Sequence, residues 1–67
     1  MNILLNNNKE TLGFDTLTIT ELLKIKSFSF RMLVIKVNDK LIKKDEYPTT
    51  IIKDGDEVIV LHLISGG

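Results

Sequence analysis

The chain has 67 residues, nine basic and nine acidic side chains, one histidine and no cysteine. That length fits one small domain, the charge balance argues against the basic surplus of a nucleic-acid grip, and the lack of cysteine excludes disulfides and thiolate metal sites. No apolar run exceeds four residues, far short of the ~20 that span a bilayer, and Met1-Asn2-Ile3-Leu4-Leu5 lacks the basic start and long apolar stretch of a secretory signal, so a cytoplasmic protein with neither nucleic acid nor membrane as partner is expected.

A domain of this size buries only about 60% of the surface its unfolded chain exposes. Its stability is therefore expected to be on the order of 3–5 kcal/mol, supplied by a core of leucine and isoleucine. Met1 to Leu5 reads as the first strand, with Met1, Ile3 and Leu5 on one face. Asn6-Asn7-Asn8-Lys9 is turn chemistry, because asparagine tolerates positive φ. Glu10 to Phe14 returns as the second strand, with Leu12 and Phe14 sharing a face.

The helix that follows announces its start. Thr18 is a good N-cap and Glu21 lies three residues on, the spacing of a reciprocal capping box. Leu17 and Leu22 occupy the staple positions on either side of the cap. Ile19, Leu22 and Leu23 form the apolar stripe, and the helix should end near Lys26 or Ser27. Ser27 to Arg31 is the least readable stretch; its two phenylalanines either lead into a strand or cap the core. Met32 to Val37 is β-branched and apolar, a third strand. Asn38-Asp39 marks a two-residue turn and Leu41-Ile42 a very short return strand. Lys43 to Thr50 is polar and holds the one proline, Pro48, so it reads as a loop with one helical turn. Asp54-Gly55-Asp56 is a tight turn, without further ligands at a spacing that would make it a metal loop.

The last strand, Glu57 to Ile64, is apolar at both parities. A strand covered on both faces reads that way, so it is expected at the centre of the sheet. One helix covers only one face of a four- or five-stranded sheet, which gives a two-layer α+β domain. The strand's other face is then covered by something outside this chain, or by the chain's own loops as ordinary core. His62 is expected to be a packed or half-exposed residue with no chemistry.

After that strand come only Ser65, Gly66 and Gly67. Glycine has no Cβ, so the tail can enter a narrow slot and leave its terminal carbonyl sterically open. Residues 64–67, read as a flexible tail, would reach roughly 13 Å beyond the strand when extended.

These pieces together resemble the ubiquitin-like β-grasp fold and, within it, the thiamine-biosynthesis sulfur carriers of the ThiS family. The resemblance spans the whole chain, residues 1–67 as one sulfur-carrier domain. It rests on Met1-Asn2-Ile3-Leu4, Thr18-Ile19-Thr20-Glu21-Leu22-Leu23, Val37-Asn38-Asp39-Lys40-Leu41-Ile42, Asp45-Glu46-Tyr47, Lys53-Asp54-Gly55-Asp56-Glu57-Val58 and the closing Gly66-Gly67. The family departs from this chain at Asn7-Asn8, where Asn-Gly is common, and over Lys26 to Met32.

The resemblance implies a mixed four- to five-stranded sheet with one helix packed on one face. It also implies a carrier rather than an enzyme, with no cofactor of its own. A ThiF-type adenylyltransferase would use ATP to adenylate the Gly67 carboxylate. A cysteine desulfurase or sulfurtransferase would supply the sulfur, and the resulting thiocarboxylate would serve thiazole synthase. Docking then needs a surface. Alternation from the Asp54-Gly55-Asp56 turn puts Val58 and Val60 toward the helix and Ile59, Leu61 and Leu63 outward. Exposed apolar patches mark interaction sites, so those three are expected to meet the activating enzyme and, in turn, thiazole synthase. Two other functions fit a diglycine end. A molybdopterin-type or other metabolite carrier is one, although the molybdopterin carriers tend to be longer, with a proline-bearing approach that Leu63-Ile64-Ser65 lacks. A protein modifier ending in an isopeptide bond is the other.

Overall fold

Two asparagine-led turns shape the sheet. In the computed structural model, which describes residues 1–28 and 32–62, β1 (Asn2–Leu5) runs into β2 (Asn8–Thr11) through Asn6 and Asn7. Their φ angles are 52° and 67°. A type I′ two-residue hairpin needs this left-handed backbone at both central positions, and asparagine reaches it at lower cost than most side chains. Leu5 thus pairs directly with Asn8. The turn consumes two residues where the sequence suggested four, which pulls the second strand forward from the expected Glu10–Phe14 and leaves Phe14 half exposed. The same device joins β4 (Leu33–Val37) to β5 (Lys40–Ile42), with Asn38 and Asp39 at φ 50° and 67°.

Between the hairpins lies α1 (Ile19–Ile25), and the capping box forms as expected. Glu21 N–H donates to Thr18 Oγ1 at 3.1 Å, and Thr18 N–H donates to Glu21 Oε1 at 2.9 Å. The Thr18 backbone bond, followed by the Thr18 hydroxyl, holds the Glu21 carboxyl below the ordinary glutamate value. The staple residues Leu17 and Leu22 are both buried.

The C-terminus of α1 closes in a way its sequence does not announce. Phe28 N–H donates to Leu23 O at 2.8 Å and Ser27 N–H to Lys24 O at 3.1 Å. This is the Schellman pattern, and it puts Ser27 at the left-handed position, φ 58°. Glycine is the usual occupant there. Replacing Ser27 by glycine should relieve the strain and raise stability by about 0.5–1 kcal/mol; a urea titration followed by circular dichroism would show the midpoint rise, and an unchanged or lower midpoint would contradict the account. Beside this cap, Lys26 Nζ meets Glu10 Oε1 at 2.6 Å and ties the helix end to β2.

The main sheet has the order β2-β1-β7-β4-β5, where β7 is Glu57–His62. β1 and β7 run parallel and the remaining neighbours antiparallel. The last strand is therefore central, as its unbroken apolar run implied. Alternation sends Ile3, Leu5, Ile35, Val37, Ile42, Val58 and Val60 to one face, where they form the core with Ile19 and Leu22 of the helix. The result is a mixed sheet of five strands with one helix on one face.

Two short strands were not anticipated. β3 (Thr16–Thr18) and β6 (Ile51–Lys53) pair antiparallel as a separate ribbon, and it contributes Leu17 and Ile52 to the core. Within the polar loop before β6, residues Lys44–Glu46 make the single helical turn expected there, a 3₁₀ turn.

Candidate functional site

The strand that leads toward the C-terminus is fixed on both sides. Five register pairs, from Leu33↔His62 to Val37↔Val58, join it to β4. On the other side only Leu4↔Glu57 and Leu5↔Val58 pair with β1 before that strand turns away. The Asn6 side chain then continues the ladder. Its Oδ1 accepts from Val60 N–H at 2.8 Å, taking the place of the next strand carbonyl, while Asn6 N–H donates to Val58 O at 2.9 Å. At the start of β7, Asn38 acts similarly: its Oδ1 accepts from Glu57 N–H at 2.9 Å and its N–H donates to Glu57 O at 2.8 Å. The left-handed turn residues Asn6 and Asn38 thus serve two purposes, reversing the chain and holding the central strand.

A second fastening lies at the Asp54-Gly55-Asp56 turn, where Gly55 has φ 87°. Asp56 is buried, and no buried side-chain polar atom among the described residues lacks a partner. Its Oδ2 accepts from Lys53 N–H at 2.9 Å and its Oδ1 from Asn38 Nδ2 at 3.1 Å. Asp54 Oδ1 accepts from Asn2 N–H at 2.6 Å, and Gly55 N–H donates to Asn2 O at 2.8 Å. The turn therefore locks the entry to β7 against β1 and the β4–β5 hairpin together.

The sheet face opposite the helix carries no layer of described residues. On β7 it shows Ile59, half-buried, and Leu61, 51% exposed. Strand register places Leu4 of β1, Val34 of β4 and Leu41 of β5 on the same face, with Leu41 56% exposed. The open face is thus wider than the one strand that sequence alternation singled out. Among the described residues no cluster of histidine, cysteine, aspartate and glutamate could hold a metal ion. No helix there is long and apolar enough to cross a membrane.

The comparisons with known proteins bear on the chain as a whole. A family model described as the ThiS family matches residues 3–67. The chain belongs to the ThiS family. It shares that family's ubiquitin-like β-grasp fold. Among solved structures, the crystal structure of the thiamine biosynthesis protein (ThiS) from Geobacter metallireducens is similar over 100% of both chains, with 29% identity and a TM-score of 0.89. A solution NMR structure of a thiamine biosynthesis protein from Geobacter metallireducens is similar over 100% of this chain and 88% of that one, with 28% identity and a TM-score of 0.77. No match was found among curated proteins.

The ThiS-family span includes Leu63, Ser65, Gly66 and Gly67, which lie outside the described residues, as does the expected tail, residues 64–67. Of the residues expected to dock a partner, Ile59 and Leu61 stand together on the open face. Leu4, Val34 and Leu41 were missed there. Each sits at the parity opposite to a buried neighbour in its own strand, and reading that parity on all strands at once would have found them.

Proposed function

We propose that the protein is a sulfur carrier of thiamine biosynthesis whose reactive group is the Gly67 carboxylate. Family membership and the two solved thiamine biosynthesis proteins support the carrier role. The observation that carries the finer reading is the family match, which runs through Ser65-Gly66-Gly67 to the last residue.

The chemistry follows from that terminus. A carboxylate is a poor electrophile, so an adenylating enzyme joins it to the α-phosphate of ATP and releases pyrophosphate. The terminal sulfur of a persulfide, supplied by a cysteine desulfurase or sulfurtransferase, attacks the carbonyl and expels AMP. A thiol then cleaves the S–S bond of the acyl disulfide, leaving a thiocarboxylate on Gly67 and a new disulfide on the donor. Thiazole synthase takes the sulfur. Glycine at positions 66 and 67 leaves the carbonyl open to each reagent in turn. The chain supplies no acid, base or nucleophile and binds no cofactor, so it is a cosubstrate rather than an enzyme. ATP belongs to the adenylating partner. The absence of cysteine keeps a competing thiol away from the activated carbonyl. Residues 1–67 act as one domain in the cytoplasm.

Ile59, Leu61 and Leu63 dock the ThiF-type adenylyltransferase and then thiazole synthase. Incubation with that adenylyltransferase, ATP and a persulfide donor should raise the intact mass by the difference between one sulfur and one oxygen. A chain that stays at its original mass, or appears only in conjugates of higher mass, would overturn the reading.

A further inference from the structure

One cation stands in the middle of the open aliphatic face. Lys36 of β4 lies directly across from Ile59 on one side and from Leu41 on the other. Leu61 and Val34 form the adjacent outward pair. Among the described residues the Lys36 ammonium has no ion-pair partner. Glu57, the next outward residue along β7, lies on the diagonal from Lys36, and Lys9 lies farther off on β2, opposite Leu4.

A partner that covers Ile59 and Leu61 must also cover Lys36. Burying an ammonium without a counter-charge is costly, whereas a carboxylate brought to it recovers the solvation that is lost. An aliphatic surface alone would therefore dock here poorly. The geometry points to Lys36 as a residue that orients the adenylating enzyme on this face: that enzyme presents an aliphatic surface with a carboxylate placed opposite Lys36. This inference rests on the carrier reading and adds to it the chemistry of the partner's surface. Placing the charge between two aliphatic neighbours also fixes register, because a shift of one strand would set the partner's carboxylate against Leu41 or Ile59.

The test uses the full chain and the purified adenylating enzyme, with affinity measured by calorimetry at low and high salt. Lys36→Met keeps the aliphatic stem and removes the charge; it should weaken binding about tenfold at low salt and flatten the salt dependence. Lys36→Glu should weaken it by at least about a hundredfold, since like charges are then forced together. Both variants should melt with the wild type, the side chain being exposed. Leu61→Glu should weaken binding at both salt concentrations. Lys36→Met binding as tightly as wild type, with the same salt dependence, overturns the inference. If the wild-type chain still gains sulfur in that case, only the charge assignment fails. A wild-type chain that gains no sulfur takes the carrier reading down with it.

Discussion

A chain lacking Gly67 is expected to lose sulfur acceptance by a factor of at least about a hundred, while unfolding at the same urea concentration as the full chain. Removing one residue draws the terminal carboxylate back by roughly 3.5 Å, and a misplacement of about 1 Å at a reacting centre can cost about a hundredfold. The fold should not notice. No core residue among those described lies beyond Val60, and the hydrogen bonds that hold β7 end at the same residue on the Asn6 side. The measurement is intact mass after incubation with the adenylating enzyme, ATP and a persulfide donor, set beside a urea titration of the same sample. A truncated chain that gains sulfur at the wild-type rate would sink the assignment of Gly67. Loss of both sulfur and stability would show that the end of the chain also supports the fold, and would overturn its assignment as a purely reactive tail.

Asp56→Ala should remove about 3 kcal/mol of stability, which is comparable to the whole stability of a domain this small. The carboxylate is buried and accepts from Lys53 N–H and from Asn38 Nδ2. Hydrogen bonds to a charged group contribute about 1.5–3 kcal/mol each, and removing the acceptor strands the donors. Asn38 would then lose the restraint on a side chain that also holds Glu57 N–H. Asp56→Asn keeps one carbonyl oxygen and should lose about half as much. Urea unfolding monitored by circular dichroism gives the numbers. A loss under about 1 kcal/mol for the alanine variant would mean that the network is not what fixes the entry to β7.

The elements that could be read from the chain are those whose signals are local. Thr18 and Glu21 satisfy one another across three residues, so the helix start is written in a short window. Asn38-Asp39 specifies its own turn. The central place of β7 was legible because its apolar residues run unbroken at both parities, although the described residues cover only its helix-side face. By contrast, β3 and β6 are three residues each, too short to show periodicity, and each becomes a strand only through the other. The Schellman ending at Ser27 was hidden because serine gives no warning of a left-handed backbone.

At the candidate site, Ile59 and Leu61 followed from alternation along one strand. The breadth of the open face did not, because Leu4, Val34 and Leu41 join it only once the strand order is known. The role of Lys36 was hidden for the same reason. Alone it is an ordinary exposed lysine, and only the register of β4 between β5 and β7 surrounds it with aliphatic side chains.

The central position of β7 has a mechanical side. A partner that grips the C-terminus and pulls does not find an edge strand to peel away one bond at a time. The load runs along β7 and is shared by the β4 ladder, the two β1 pairs and the Asn6 amide. These bonds lie across the direction of pull, so they must yield together in shear. The body of the domain can thereby bear a pull along its central strand without unravelling from an edge.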